Sequence, residues 1–109
     1  MTTTVQKQVL INARALVADP AHWTRRTFAR TADGHAIAWY DHSATKWCAT
    51  GAIYRAAYDL VGDPNEAVRI GHLVVKSVSP GRWLPVASIN DVLGHAAVLA
   101  AFDKALEAA

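Results

Sequence analysis

Charge is scarce in this chain: Asp, Glu, Lys and Arg together make up 18% of it, below the usual quarter of a soluble domain. The net charge is +2, and there is no basic cluster from which a nucleic-acid or membrane partner would follow. Cysteine is scarcer still. One cysteine, Cys48, excludes an internal disulfide, and the polar opening MTTTVQKQ lacks the apolar segment of a secretion signal, so a reducing, cytoplasmic setting is expected. No apolar run approaches the ~20 residues of a membrane helix. There is no repeat, low-complexity tract or linker-like segment, so every element is expected to share one core.

Apolar residues are plentiful, at 52% of 109 positions, enough for one domain that buries a core without staples. With so little charge to cover the outside, some apolar surface is expected to be buried in a partner, and self-association is the default.

The spacing of Val9, Leu10, Ala13, Leu16 and Val17 predicts an amphipathic helix over Val5 to Ala18, ended by Asp19-Pro20. Residues Thr27–Thr31 and His35–Tyr40 flank Ala32-Asp33-Gly34, and Asp-Gly tolerates the positive φ of a tight turn, which predicts a β-hairpin. Ser43 is the expected cap of a helix running from Ala44 to Val61, with Ala49, Ala52, Ile53, Ala56 and Leu60 inward and Gly62 as C-cap. Asp63-Pro64-Asn65-Glu66 opens the next helix with an acidic cap, proline at the first position and a glutamate placed to bond back. Ala67, Ile70, Val74 and Val78 are its expected inner face. Leu73–Val78 suits helix or strand, because Gly71 weakens the one and Val74-Val75 fits the other. After Ser79-Pro80-Gly81 a final helix is expected from Ser88 or Asn90 to the end, with Val92, His95, Leu99, Phe102 and Leu106 inward. The fold class is therefore α+β and mainly α, about four helices packed with one short hairpin in a single domain, 1–109.

Trp47-Cys48-Ala49-Thr50-Gly51-Ala52, and later Leu84-Pro85, Asn90-Asp91, His95, Val98 and Phe102-Asp103-Lys104-Ala105, resemble an uncharacterised bacterial and bacteriophage family of small domains. Its pattern is a WCxxGA helix start and an N-D, H, V, FDxA final helix. Ile89 departs from the tryptophan often found before Asn-Asp. The family has no assigned activity, so the resemblance implies a fold and an association with phage or mobile elements, not a reaction.

Three chemistries are open to these residues. Cys48 near a helix start, with Asp91 and His95 four apart on another helix, supplies the residue types of a cysteine hydrolase or transferase. No local hydrolase signature accompanies them, and a buried cysteine with a structural polar knot is the stronger reading. His35, Asp41, His42 and Cys48 match no metal-ligand spacing, and neither a metal nor a cofactor is expected. A helix-turn-helix at Gly62-Asp63 would present Asn65, Arg69, His72 and Lys76 to DNA, with Arg25, Arg26 and Arg30 on phosphates. Against it, Glu66 interrupts that face.

Trp47, Gly51, Tyr54 and Tyr58 fall on a second face of the same helix. Together with Trp83 and Asn90 they are the expected binding or subunit interface, since tyrosine and tryptophan suit surfaces that are dry at one end and wet at the other. Gly51 is placed to admit another backbone. The leading expectation is a non-catalytic accessory domain that binds a host or phage protein and forms a homo-oligomer.

Overall fold

The computed structural model describes residues 3–79 and 85–109. Helix α1 spans Thr4–Val17 and opens on a reciprocal cap: Gln6 N–H donates to Thr3 Oγ1 at 3.1 Å, and the Thr3 N–H returns to the Gln6 side chain. The cap satisfies donors that a helix start otherwise leaves orphaned. Val9, Leu10, Ala13 and Val17 are buried, and Leu16 packs at the margin. Asp19 then caps one 3₁₀ turn, Pro20–His22.

The hairpin is present and short. Strands β1 (Ala29–Arg30) and β2 (Ala36–Ile37) pair antiparallel around Gly34, whose φ of 91° needs a glycine. A third strand, β3 (Lys46–Trp47), pairs antiparallel with the other edge of β1, giving the order β2-β1-β3. This corrects the reading of Ala44–Trp47 as helix. Pairing with β1 keeps the chain extended through Trp47, and Asp41 and Ser43 instead close a turn before the strand.

Helix α2 therefore begins later, at Ala49, and runs to Val61 with Cys48 and not Ser43 as its N-cap. Ala49, Ala52, Ile53, Ala56 and Ala57 are buried, while Leu60 continues the spacing into the last turn and is exposed. Gly62 closes the helix at φ 75°. Asp63 caps α3 (Pro64–Val78), accepting from Asn65 N–H. Glu66 does not complete the expected box; its carboxylate pairs with Arg69. Leu73–Val78 is helix, with Ala67, Ile70, Val74 and Val78 buried.

Gly71 explains how α3 tolerates its weakest residue. A Cβ there would lie 2.2 Å from the Tyr54 ring, so the glycine is a notch in which an α2 aromatic rests. Gly71→Ala should lower the unfolding free energy by about 2 kcal/mol despite alanine's better helix propensity. The same substitution in a Tyr54→Leu background should cost much less, a coupling that denaturant titration of the double-mutant cycle would detect.

The final segment is interrupted where one continuous helix was expected. Helix α4 (Val86–Ser88) passes into a π-helical turn, Ile89–Leu93, and Gly94 at φ 96° and ψ −174° breaks the chain before α5 (His95–Ala108). Counting α4, there are five α-helices among the described residues. The wider turn and the break reset the helical phase, so Val92 is 76% exposed and Val98, Phe102 and Ala105 form the buried stripe. Leu99 and Leu106 lie at its margin. Arg14 on α1 ties down α5 through Asp103 at 2.6 Å, holding its carboxyl below the usual carboxylate range. Among the described residues no helix is long and apolar enough to cross a membrane.

Candidate functional site

Asn90 is the one polar residue buried outright among those described, and it sits in the π turn. Its Oδ1 accepts from Trp23 Nε1 at 2.6 Å and from Ala49 N–H at 2.9 Å. Both of those groups can only donate, which fixes the amide's orientation. Its Nδ2 donates to the Thr24 carbonyl at 3.0 Å and to Asp91 Oδ1 at 3.1 Å. One side chain thus joins the segment after α1, the start of α2 and the turn before α5, with all its hydrogen-bonding capacity used. Asp91 Oδ1 also accepts from Arg26 N–H at 3.0 Å, and Arg26 stands at φ 66°, a left-handed conformation that a non-glycine residue adopts at some energetic cost.

A cleft of about 360 Å³ opens beside this hub. One wall is Arg26, Thr27 and Phe28, the second is Cys48 and Thr50 at the start of α2, and the third is Ala87, Asn90 and Asp91. The walls can come so close only because residue 51 is glycine: a Cβ on Gly51 would sit 2.0 Å from the Phe28 carbonyl oxygen. That oxygen is also held by Cys48 N–H at 3.2 Å. The Cys48 thiol is 7% exposed, and its sulfur accepts from Gly51 N–H at 3.2 Å. Burial pushes the thiol pKa up, outweighing the backbone donors that favour the thiolate.

Cys48 and Asp91 therefore share a cleft, whereas His95 is not among the residues that line it. The His95 ring bonds through Nε2 to the Val17 carbonyl at 2.6 Å and packs on Trp23, with centroids 5.4 Å apart. It serves the end of α1, and among the described residues no hydrogen bond joins it to the Cys48 sulfur. Among the described residues no three His, Cys, Asp or Glu side chains are grouped to hold a metal.

The residues expected at an interface divide. Trp47, Gly51 and Asn90 are buried within the chain, and Trp83 lies outside the described residues. Tyr54 and Tyr58 are half-buried in an aromatic group centred on Trp39. Ring centroids lie 5.0 Å from Trp39 to Tyr40, 5.6 Å to Tyr54 and 6.0 Å to Tyr58. Tyr54 extends the group to Phe28 at 6.2 Å and to His72 at 5.8 Å. Phe28 is 50% and Tyr40 51% exposed. Neither stood out in the sequence, where both sit in the hairpin flanks; the alternation Thr27-Phe28-Ala29, which buries Ala29, was the signal that Phe28 faces outward. Burial also raises the Tyr54 pKa.

The arginines are largely committed. Arg25 lies over the Trp23 ring at 5.1 Å, Arg69 pairs with Glu66, and Arg30 bonds to Thr24, the Gly34 carbonyl and the Arg25 carbonyl. Lys76 is exposed on α3.

This chain carries the WCxxGA and Asn-Asp segments as the two facing walls of one cleft, and a family model matches residues 1–108. The chain belongs to DUF6197, a family of unknown function. Neither a curated protein nor a solved structure matches it. For DUF6197, then, the geometry of this chain is what bears on function.

Proposed function

We propose that this DUF6197 domain is a non-catalytic protein-binding module that works in the cytoplasm as a homo-oligomer and contacts a host or phage protein through its aromatic face. The observation that carries the reading is the group around Trp39, which ends in two half-exposed rings, Phe28 and Tyr40. Aromatic side chains supply large, stiff contact area and dominate interface energetics, and scattered single exposures do not form such a group. The low charge content supports the same reading. Cysteine chemistry is the weaker alternative, because the Cys48 sulfur already caps α2 and burial disfavours its ionised form.

Two measurements test this together. Affinity capture should recover a specific partner with the wild type and with Cys48→Ser, which keeps a capping oxygen, and lose it with Phe28→Ser/Tyr40→Ser. Alkylation of Cys48 in the folded protein should be much slower than in the unfolded chain and should accelerate only above the ordinary thiol range near about 8.5. Rapid alkylation at neutral pH would favour the nucleophile, and a partner indifferent to the aromatic substitutions would remove the binding face.

A further inference from the structure

We propose that the cleft between the Arg26–Phe28 segment and the Asn90–Asp91 turn is a binding site for a primary ammonium group, with Asp91 as its counter-ion. The cleft is separate from the contact face proposed above, although Phe28 borders both. Its volume, about 360 Å³, lies within the range of small-ligand pockets, and its lining joins Phe28, Ala87 and Cys48 to Thr27, Thr50 and Asn90, with Arg26 as its one cation and Asp91 as its one acid.

The charge of the occupant follows from which groups are already taken. An anion would seek the first N–H groups of α2 or Arg26, but Ala49 N–H is held by Asn90 and Gly51 N–H by the Cys48 sulfur, and the Arg26 side chain is exposed to water, where an ion pair is worth little. Asp91 is differently placed. Both of its donors within the chain, Arg26 N–H and Asn90 Nδ2, are uncharged and both address Oδ1. Among the described residues it forms no ion pair, the exposed Arg26 side chain included. Any ligand that displaces water from the cleft must therefore bring a positive donor to Oδ2 or leave a carboxylate desolvated without a counter-charge, which is costly. A primary ammonium has three donors, one for Asp91 and two for the hydroxyls of Thr27 and Thr50, and an alkyl stem that fits against Phe28 and Ala87. The source is either a free small amine or a lysine side chain presented by a protein.

The test is an amide NMR titration of the full chain with n-butylamine hydrochloride, Nα-acetyl-lysine methylamide, n-butanol and sodium butyrate. Saturable shifts at Thr50, Ala87 and Asp91 are expected with one or both ammonium compounds, in the millimolar range proper to such small ligands, and not with butanol or butyrate. Binding by both ammonium compounds, or by the lysine derivative alone, assigns the site to a protein lysine; binding by butylamine alone assigns it to a free amine. Asp91→Asn keeps the oxygen that accepts from Arg26 and Asn90 but removes the charge, and should weaken binding by about tenfold or more. Ala87→Leu, at an exposed position on the cleft wall, should block it sterically. Absence of saturable shifts with both ammonium compounds, binding of butyrate instead, or unchanged affinity in Asp91→Asn would overturn the proposal. None of these outcomes depends on Tyr40 or on capture of a partner, so this site and the aromatic face stand or fall separately.

Discussion

Asn90→Ala is expected to lower the unfolding free energy by about 4 kcal/mol, because removing the amide strands several groups at once. Trp23 Nε1–H and Ala49 N–H lose their acceptor, the Thr24 carbonyl loses its donor, and Asp91 loses one of two. A buried donor without a partner forfeits its full desolvation energy, whereas a bond formed in exchange for water is worth far less. Urea titration would measure the loss, and a change under about 1 kcal/mol would show that water replaces the amide in the cleft. Asn90→Asp separates shape from chemistry. It keeps an acceptor for Trp23 and Ala49 but converts the donor toward Thr24 and Asp91 into a like-charged carboxylate. Burial and Asp91 would raise the new acid's folded pKa above its unfolded one, so the charge penalty is full at neutral pH and is relieved as pH falls toward the ordinary carboxylate range.

Gly51→Ala is expected to cost about 4 kcal/mol as well, for a steric reason. On propensity alone the change at a helix position would stabilise by roughly 1 kcal/mol, so the predicted sign is opposite. The new Cβ would lie 2.0 Å from the Phe28 oxygen and 2.9 Å from its carbonyl carbon. Both are backbone atoms that cannot rotate away, and Cys48 N–H pins the same oxygen from the other side. Relief requires β1 to separate from α2. Thermal and urea unfolding of the variant would decide the matter, and an unchanged or raised midpoint would mean that the segment before β1 moves freely.

Much of this fold could be read from spacing and punctuation. Gly62-Asp63-Pro64 marked the α2–α3 junction, Asp33-Gly34 marked the hairpin, and the 3.6-residue repeats of α1 and α3 identified their buried faces. What the sequence hid was short or remote. Lys46–Trp47 is only two residues long and lies three residues after Ser43, a preferred capping residue type, so no periodicity separates it from a helical first turn. Cysteine is not among the preferred caps, which concealed the role of Cys48. The π turn and the φ of Gly94 leave no mark on a hydrophobic pattern that assumes one continuous helix, and Val92 was placed inside for that reason. Of the site, the cysteine and the Asn90-Asp91 pair were visible as residue types. Their convergence with Trp23, Thr24 and Phe28 was not, since it depends on contacts between segments far apart in the chain.

The Asn90 hub also bears on how the chain folds in time. Its bonds to Trp23 and Ala49 close loops across 67 and 41 residues, whereas α2 and α3 are neighbours that can dock through a two-residue junction. Contacts of such long sequence separation are slow to form, so the hub should lock after the α2–α3 pair has condensed. Its loss would then appear mainly in the unfolding limb of a chevron plot, leaving the refolding rate nearly unchanged. With that order of events, substitution of Asn90 would shorten the lifetime of the native state more than it slows the approach to it.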